Sequence, residues 1–118
     1  MIDDDEPLRE ALGSVLKAAG YACVEFASAE EFLEAPVSRL ASCLILDVRL
    51  PGMSGVELQR QLLHARSAVP IIFVSAHGDA SLHDLLLEAG ASAFLNKPVR
   101  SERLLKEIDA ALTRAEAR

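Results

Sequence analysis

The chain has 118 residues, enough for one domain with one core, and 51% of them are hydrophobic, which argues against disorder. A net charge of −6 with scattered Lys and Arg argues against direct nucleic-acid binding by this segment. No apolar run is long enough to span a bilayer and the acidic N-terminus is unlike a signal peptide, so a cytoplasmic protein without membrane contact is expected.

Only Met1-Ile2 precede the first helical pattern. Central parallel strands usually run to about five residues. Either the first strand is truncated here, with residues upstream of Met1 belonging to it, which is the favoured expectation, or that strand is unusually short. Pro7 suits a first helical turn, and Asp5 suits its cap. Leu8, Leu12, Val15, Leu16 and Ala19 recur at helical spacing, and Gly20 stops that helix. Tyr21 to Phe26 reads as a short strand. Ser28 with Glu31 is a capping-box pattern that opens a helix carrying Phe32 and Leu33 and ending before Pro36.

Cys43-Leu44-Ile45-Leu46 is an unbroken apolar run ending at Asp47, as in a parallel strand buried on both faces. Cys23 and Cys43 lack metal-ligand spacing and are expected to be buried, reduced thiols. After the turn Leu50-Pro51-Gly52-Met53, Ser54 and Glu57 cap a helix with Val56, Leu58, Leu62 and Leu63. Pro70 to Val74 forms the next strand, ends at Ser75 and leads into a polar loop through Asp79. A further helix holds Leu82, Leu85, Leu86 and Ala89 and is stopped by Gly90, with Leu87 off that stripe as surface scatter or part of a dimer or partner patch. Phe94-Leu95 centres the last strand, followed by Asn96-Lys97-Pro98. Ser101 caps a final helix with Leu104, Leu105, Ile108 and Leu112, and the polar tail Thr113–Arg118 frays or begins a linker. Alternating helices and strands imply βαβ units, hence an α/β fold around a parallel sheet.

In such sheets, ligands bind beyond the carboxyl ends of the strands. Asp3, Asp4, Asp47, Ser75 and Lys97 all end strand-like runs, so they are expected to converge on one edge. Clustered carboxylates resist joint ionisation unless a cation intervenes. Mg²⁺ suits them, because it takes oxygen ligands and shares its shell with phosphate. Asp47 could then act as a nucleophile towards phosphorus, with Lys97 and Ser75 stabilising the phosphoryl oxygens.

Asp3-Asp4-Asp5-Glu6, Asp47-Val48-Arg49-Leu50-Pro51-Gly52-Met53-Ser54-Gly55 and Phe94-Leu95-Asn96-Lys97-Pro98 together resemble the receiver domain of two-component response regulators. The likeness covers residues 1–118 as one domain, and is nearest to receivers of nitrogen-fixation and nitrate-type transcriptional regulators. It implies a flavodoxin-like, doubly wound (βα)5 fold with a five-stranded parallel sheet in the order 2-1-3-4-5. It implies that Asp47 is the phosphoacceptor for a sensor histidine kinase. Asp3, Asp4, Asp47 and the Arg49 main-chain carbonyl would hold Mg²⁺, with Asp4 the more direct ligand of the acidic pair. Ser75 matches the switch hydroxyl, Lys97 the phosphoryl-binding lysine and Phe94 the switch aromatic. Pro98 follows the lysine, with a cis peptide bond as one expectation.

The implied protein is not an enzyme acting on a metabolite; it assists its own phosphorylation and dephosphorylation. Phosphorylation would remodel the face of the fourth helix, fifth strand and fifth helix, to control an output domain or partner, with homodimerisation through that face as an expectation. A dehalogenase-type phosphatase would need an acid two residues after Asp47, where Arg49 stands. The remaining alternative is a receiver-fold interaction module that works without phosphorylation. His77 lies at the expected rim of the site, as a candidate for tuning water access or as a bystander. His64 and His83 read as solvent-facing. Arg100 and Arg103 read as surface charges or intersubunit ion-pair partners.

Overall fold

A computed structural model describes residues 1–76 and 80–116. Three continuous strands, β1 (Leu44–Asp47), β2 (Ile71–Ser75) and β3 (Ala93–Asn96), form a parallel sheet in that order. Leu44 pairs with Ile71 and Asp47 with Val74; Ile72 pairs with Ala93 and Ser75 with Asn96. On the other side of β1, Ile2 forms parallel bridges to both Leu46 and Phe26. Five chain segments thus lie side by side in the order 2-1-3-4-5, the doubly wound arrangement. The expected strand over Tyr21–Phe26 is reduced to one bridge, since its neighbour in the sheet is the short Met1–Asp3 segment. Beside Met1, a groove of about 480 Å³ opens between residues 21–24 and the start of β1. Cys23 and Cys43 line it, so both are only partly buried rather than core residues.

The helices are α1 (Glu6–Ala18), α2 (Ala29–Glu34), α3 (Gly55–His64), α4 (Ala80–Glu88) and α5 (Ser101–Glu116), with a 3₁₀ turn over Pro36–Arg39. Asp5, Ser28 and Ser54 cap the first three through their side-chain oxygens. Gly20 and Gly90 end α1 and α4 at φ values of 97° and 110°, where a Cβ would strain the backbone. Ser101 is a helical residue, and the Arg100 carbonyl accepts the first α5 bond from the Leu104 N–H.

Strand periodicity divides the core between two faces. Leu44, Leu46, Ile71, Phe73 and Phe94 pack with Phe32, Leu58 and Leu86, from α2, α3 and α4. Ile45, Ile72, Val74 and Leu95 pack with Leu12, Leu16, Leu104 and Ile108, from α1 and α5. Adjacent apolar residues on a helix are about 100° apart, so both cannot face the sheet. Leu82 and Leu86 keep the expected stripe, but Leu85 is 60% exposed beside the buried Leu86, while Leu87, off the stripe, is half-buried. Leu33 and Leu63 turn outward beside Phe32 and Leu62 for the same reason. The buried Gln59 of α3 donates its side-chain N–H to the Leu86 carbonyl at 3.3 Å and ties α3 to α4.

Candidate functional site at the sheet edge

The chain direction within the sheet carries Asp47, Ser75 and Lys97 to one edge, from three successive strand ends. Ile2, bonded to Ile45 and Asp47 through its main chain, delivers Asp3 and Asp4 to the same place. One carboxylate oxygen from each of Asp3, Asp4 and Asp47 lies within 4.8 Å of the others. Asp3 and Asp47 are 3% and 5% exposed, whereas Asp4 faces solvent.

The Lys97 ammonium bridges the two buried acids, 3.2 Å from Asp3 Oδ2 and 3.1 Å from Asp47 Oδ2. Asp47 Oδ1 accepts the Arg49 main-chain N–H at 3.1 Å, and Asp3 Oδ1 accepts that of Asp5 at 2.9 Å. Each buried acid is therefore oriented by its own turn while its other oxygen points at the cation. Burial, then the Asp3 charge, push the Asp47 carboxyl up to about 6, against the hydrogen bonds from Lys97 and Arg49. Burial works against the Lys97 ammonium, but Asp47 and Asp3 outweigh it and hold its pKa above the ordinary lysine value.

Three convergent carboxylates are hard oxygen donors, and their mutual repulsion favours a divalent ion such as Mg²⁺. The exposure of Asp4 and the partial exposure of Lys97 leave an approach from solvent. A buried carboxylate beside a lysine ammonium suits nucleophilic attack on phosphorus, where charge on the transferred oxygens must be neutralised.

Ser75 is fully buried, and its hydroxyl donates to the Ala76 carbonyl at 3.2 Å. The Lys97 N–H donates to the Ser75 carbonyl at 2.7 Å, joining the ends of β2 and β3. Arg49 is exposed at the turn after Asp47. Phe94 is 7% exposed on the α2–α3–α4 face. The Lys97–Pro98 peptide bond is cis. His77 lies outside the described residues. Arg103 pairs with Glu107 one turn along α5, at 3.6 Å.

Two residues at or near the site escaped the sequence reading. Arg9 Nη1 donates to the Asp3 carbonyl at 2.6 Å and ties α1 to the acidic turn. His83, read as solvent-facing, packs its ring against Phe94, with centroids 5.0 Å apart. A long side chain reaching a carbonyl, or a helix residue meeting a strand aromatic, leaves no periodic mark in a sequence.

The family model described as "Response regulator receiver domain" matches residues 1–109. Response regulator protein TodT of Pseudomonas putida is 45% identical over 112 residues, covering 95% of this chain and 49% of TodT. Transcriptional regulatory protein FixJ of Bradyrhizobium diazoefficiens is 36% identical over 116 residues, covering 98% of this chain and 57% of FixJ. Among solved structures, the response regulator StyR superposes with a TM-score of 0.88 at 41% identity, covering 98% of this chain and 61% of StyR. The structure titled FixJ-N superposes with a TM-score of 0.84 at 34% identity, over 95% of this chain and 90% of that one. The chain spans about half the length of the curated relatives it matches.

Proposed function

The chain belongs to the response regulator receiver domain family, and from that premise we propose that residues 1–118 are one phosphorylation-dependent switch whose acceptor is Asp47. The observation that carries the reading is the Lys97 ammonium shared between Asp3 and Asp47, beside the exposed Asp4. Receiver domains of this family bind Mg²⁺ at an acidic pocket, and response regulators are phosphorylated by sensor histidine kinases.

An Asp47 carboxylate oxygen attacks the phosphorus of a kinase phosphohistidine. The P–N bond breaks, the imidazole leaves with the bonding pair and takes up a proton, and an acyl phosphate forms on Asp47. Lys97 stays at the site and pairs with a phosphoryl oxygen. Arg49, through its N–H, keeps the other carboxylate oxygen in place. Asp3, Asp4, Asp47 and the Arg49 main-chain carbonyl would hold Mg²⁺, which supplies charge neutralisation at the phosphoryl oxygens. Arg9 holds the acidic turn against α1.

The new group brings about −1.5 to −2 charges and three acceptor oxygens to a nearly buried position. Ser75 turns its hydroxyl from the Ala76 carbonyl to the phosphoryl group, and Phe94 fills the space it vacates. The face of α4, β3 and α5 is repacked for an output domain, a partner or a second copy of the chain. Among the described residues no helix is long and apolar enough to cross a membrane.

Intact mass after incubation with a small acyl-phosphate donor tests the reading. The wild type gains one phosphoryl group only with Mg²⁺, and Asp47→Asn gains none. Uptake by Asp47→Asn at the wild-type rate would overturn the acceptor assignment. A folded wild type that takes up nothing would instead favour an interaction module independent of phosphorylation.

A further inference from the structure

We propose that His83 is a positioning residue for Phe94, holding that ring in its buried place and passing its movement to α4. The proposal rests on the reading of Asp47 as phosphoacceptor. Two contacts of α4 with the rest of the fold differ in kind. At Leu86 the helix is anchored twice, by the buried leucine side chain and by the Gln59 hydrogen bond to the Leu86 carbonyl. Three residues earlier, on the side towards the Ser75 loop, His83 meets Phe94 in an edge-on contact, with 70° between the ring planes.

That contact is adjustable in a way the Leu86 anchor is not. The His83 side chain is 43% exposed, while Phe94 is 7% exposed, so the imidazole forms the solvent-side wall of the aromatic. A cavity of about 310 Å³ borders both rings and is lined also by Asn96, Pro98, Arg100 and Arg103. Either ring has room to move into it. A turn of Phe94 therefore changes the surface that His83 packs on, and α4 is free to respond at His83 while remaining fixed at Leu86.

The imidazole meets Phe94 as one aromatic meets another, edge to face, while its Nδ1 lies 3.1 Å from Asp84 Oδ1 on the same helix.

The test uses the whole chain with ring-labelled phenylalanine, observed by NMR. The Phe94 signals are assigned by Phe94→Leu. In the unphosphorylated protein, His83→Ala moves the Phe94 signals away from their wild-type positions, and His83→Phe returns them. After acyl-phosphate treatment, the phosphorylation-induced shifts of α4 amides fall by at least about half in His83→Ala at equal phosphoryl occupancy, and His83→Phe restores them. Phe94 signals of wild-type position in His83→Ala, or α4 shifts of wild-type size in His83→Ala, would overturn the proposal. Failure of the wild type to take up phosphoryl would sink the Asp47 reading instead, and the unphosphorylated Phe94 signals would still decide whether His83 positions that ring.

Discussion

Gly55 sits so close to the main-chain carbonyl of Asp47 that a side chain cannot be placed between them. A Cβ built at Gly55 would overlap that carbonyl oxygen and come within 3.1 Å of the Val48 Cα. The Gly55 N–H meanwhile donates to the Val48 carbonyl at 2.9 Å. The first turn of α3 is thus pressed against the strand end that presents the Asp47 carboxylate.

Gly55→Ala is expected to destabilise the fold by about 1–3 kcal/mol, the usual cost of forcing extra atoms into a packed site. It should also slow phosphoryl uptake by folded molecules, because the atoms displaced belong to Asp47 itself. Urea titration and intact-mass kinetics measure the two effects. A variant with wild-type values in both would show that the approach is not tight.

Lys97→Ala leaves two nearly buried carboxylates facing each other without their shared cation. Breaking such a pair costs about 3–5 kcal/mol when fully buried. The 23% exposure of the Lys97 side chain lowers the expectation to roughly 1–3 kcal/mol at pH 7. Asp47→Asn removes the repulsion instead and should not destabilise the metal-free protein by more than about 1 kcal/mol. Equal destabilisation by both substitutions would contradict a site under acidic repulsion.

Mg²⁺ should raise the melting temperature of protein stripped with a chelator, since the ion binds the folded state and relieves the Asp3–Asp47 repulsion. At a hundredfold excess over its dissociation constant the gain is about 2.7 kcal/mol. Asp4→Asn should shift the Mg²⁺ response to higher concentration. A thermal scan insensitive to Mg²⁺ in the wild type would argue against the three acids as ligands.

Burial pushes the Cys43 thiol up to about 11, a trend partly offset by the nearby Met1 amine. The folded state therefore holds the Cys43 proton more tightly than the unfolded chain does. This contribution to stability is complete below the ordinary thiol range and is lost as pH rises through about 11. At pH 8 the thiolate is scarce, so alkylation of Cys43 in a Cys23→Ser background should run about a hundredfold slower than that of a small free thiol. An alkylation rate matching the small thiol would show that the side chain is not held as described.

Much of this architecture was visible in the chain. The runs ending at Asp47 and Ser75 are apolar on both faces because the sheet is covered on both sides, and they form strands within a residue of expectation. The serine–glutamate pairs at Ser28 and Ser54 cap helices because their bonds are local. The acidic triad and Lys97 were legible because strand ends share an edge. What failed depended on partners distant in sequence. Tyr21–Phe26 has strand-like composition, yet a strand exists only where a neighbour pairs with it. Leu85 fits a helical repeat as well as Leu86 does, and only the direction of approach to the sheet decides which is buried. The 3₁₀ turn at Pro36–Arg39 and the reach of Arg9 to Asp3 had no local signal.

Lys97 closes the site from fifty residues beyond Asp47, while Asp3 comes from the opposite end of the chain. A polypeptide emerging from the ribosome holds the acids long before it holds their counter-cation. The shared ammonium reaches the acids only when strand ends from distant parts of the segment have met. The charge balance of the site is therefore a property of the assembled sheet edge, and a chain that has only collapsed does not possess it.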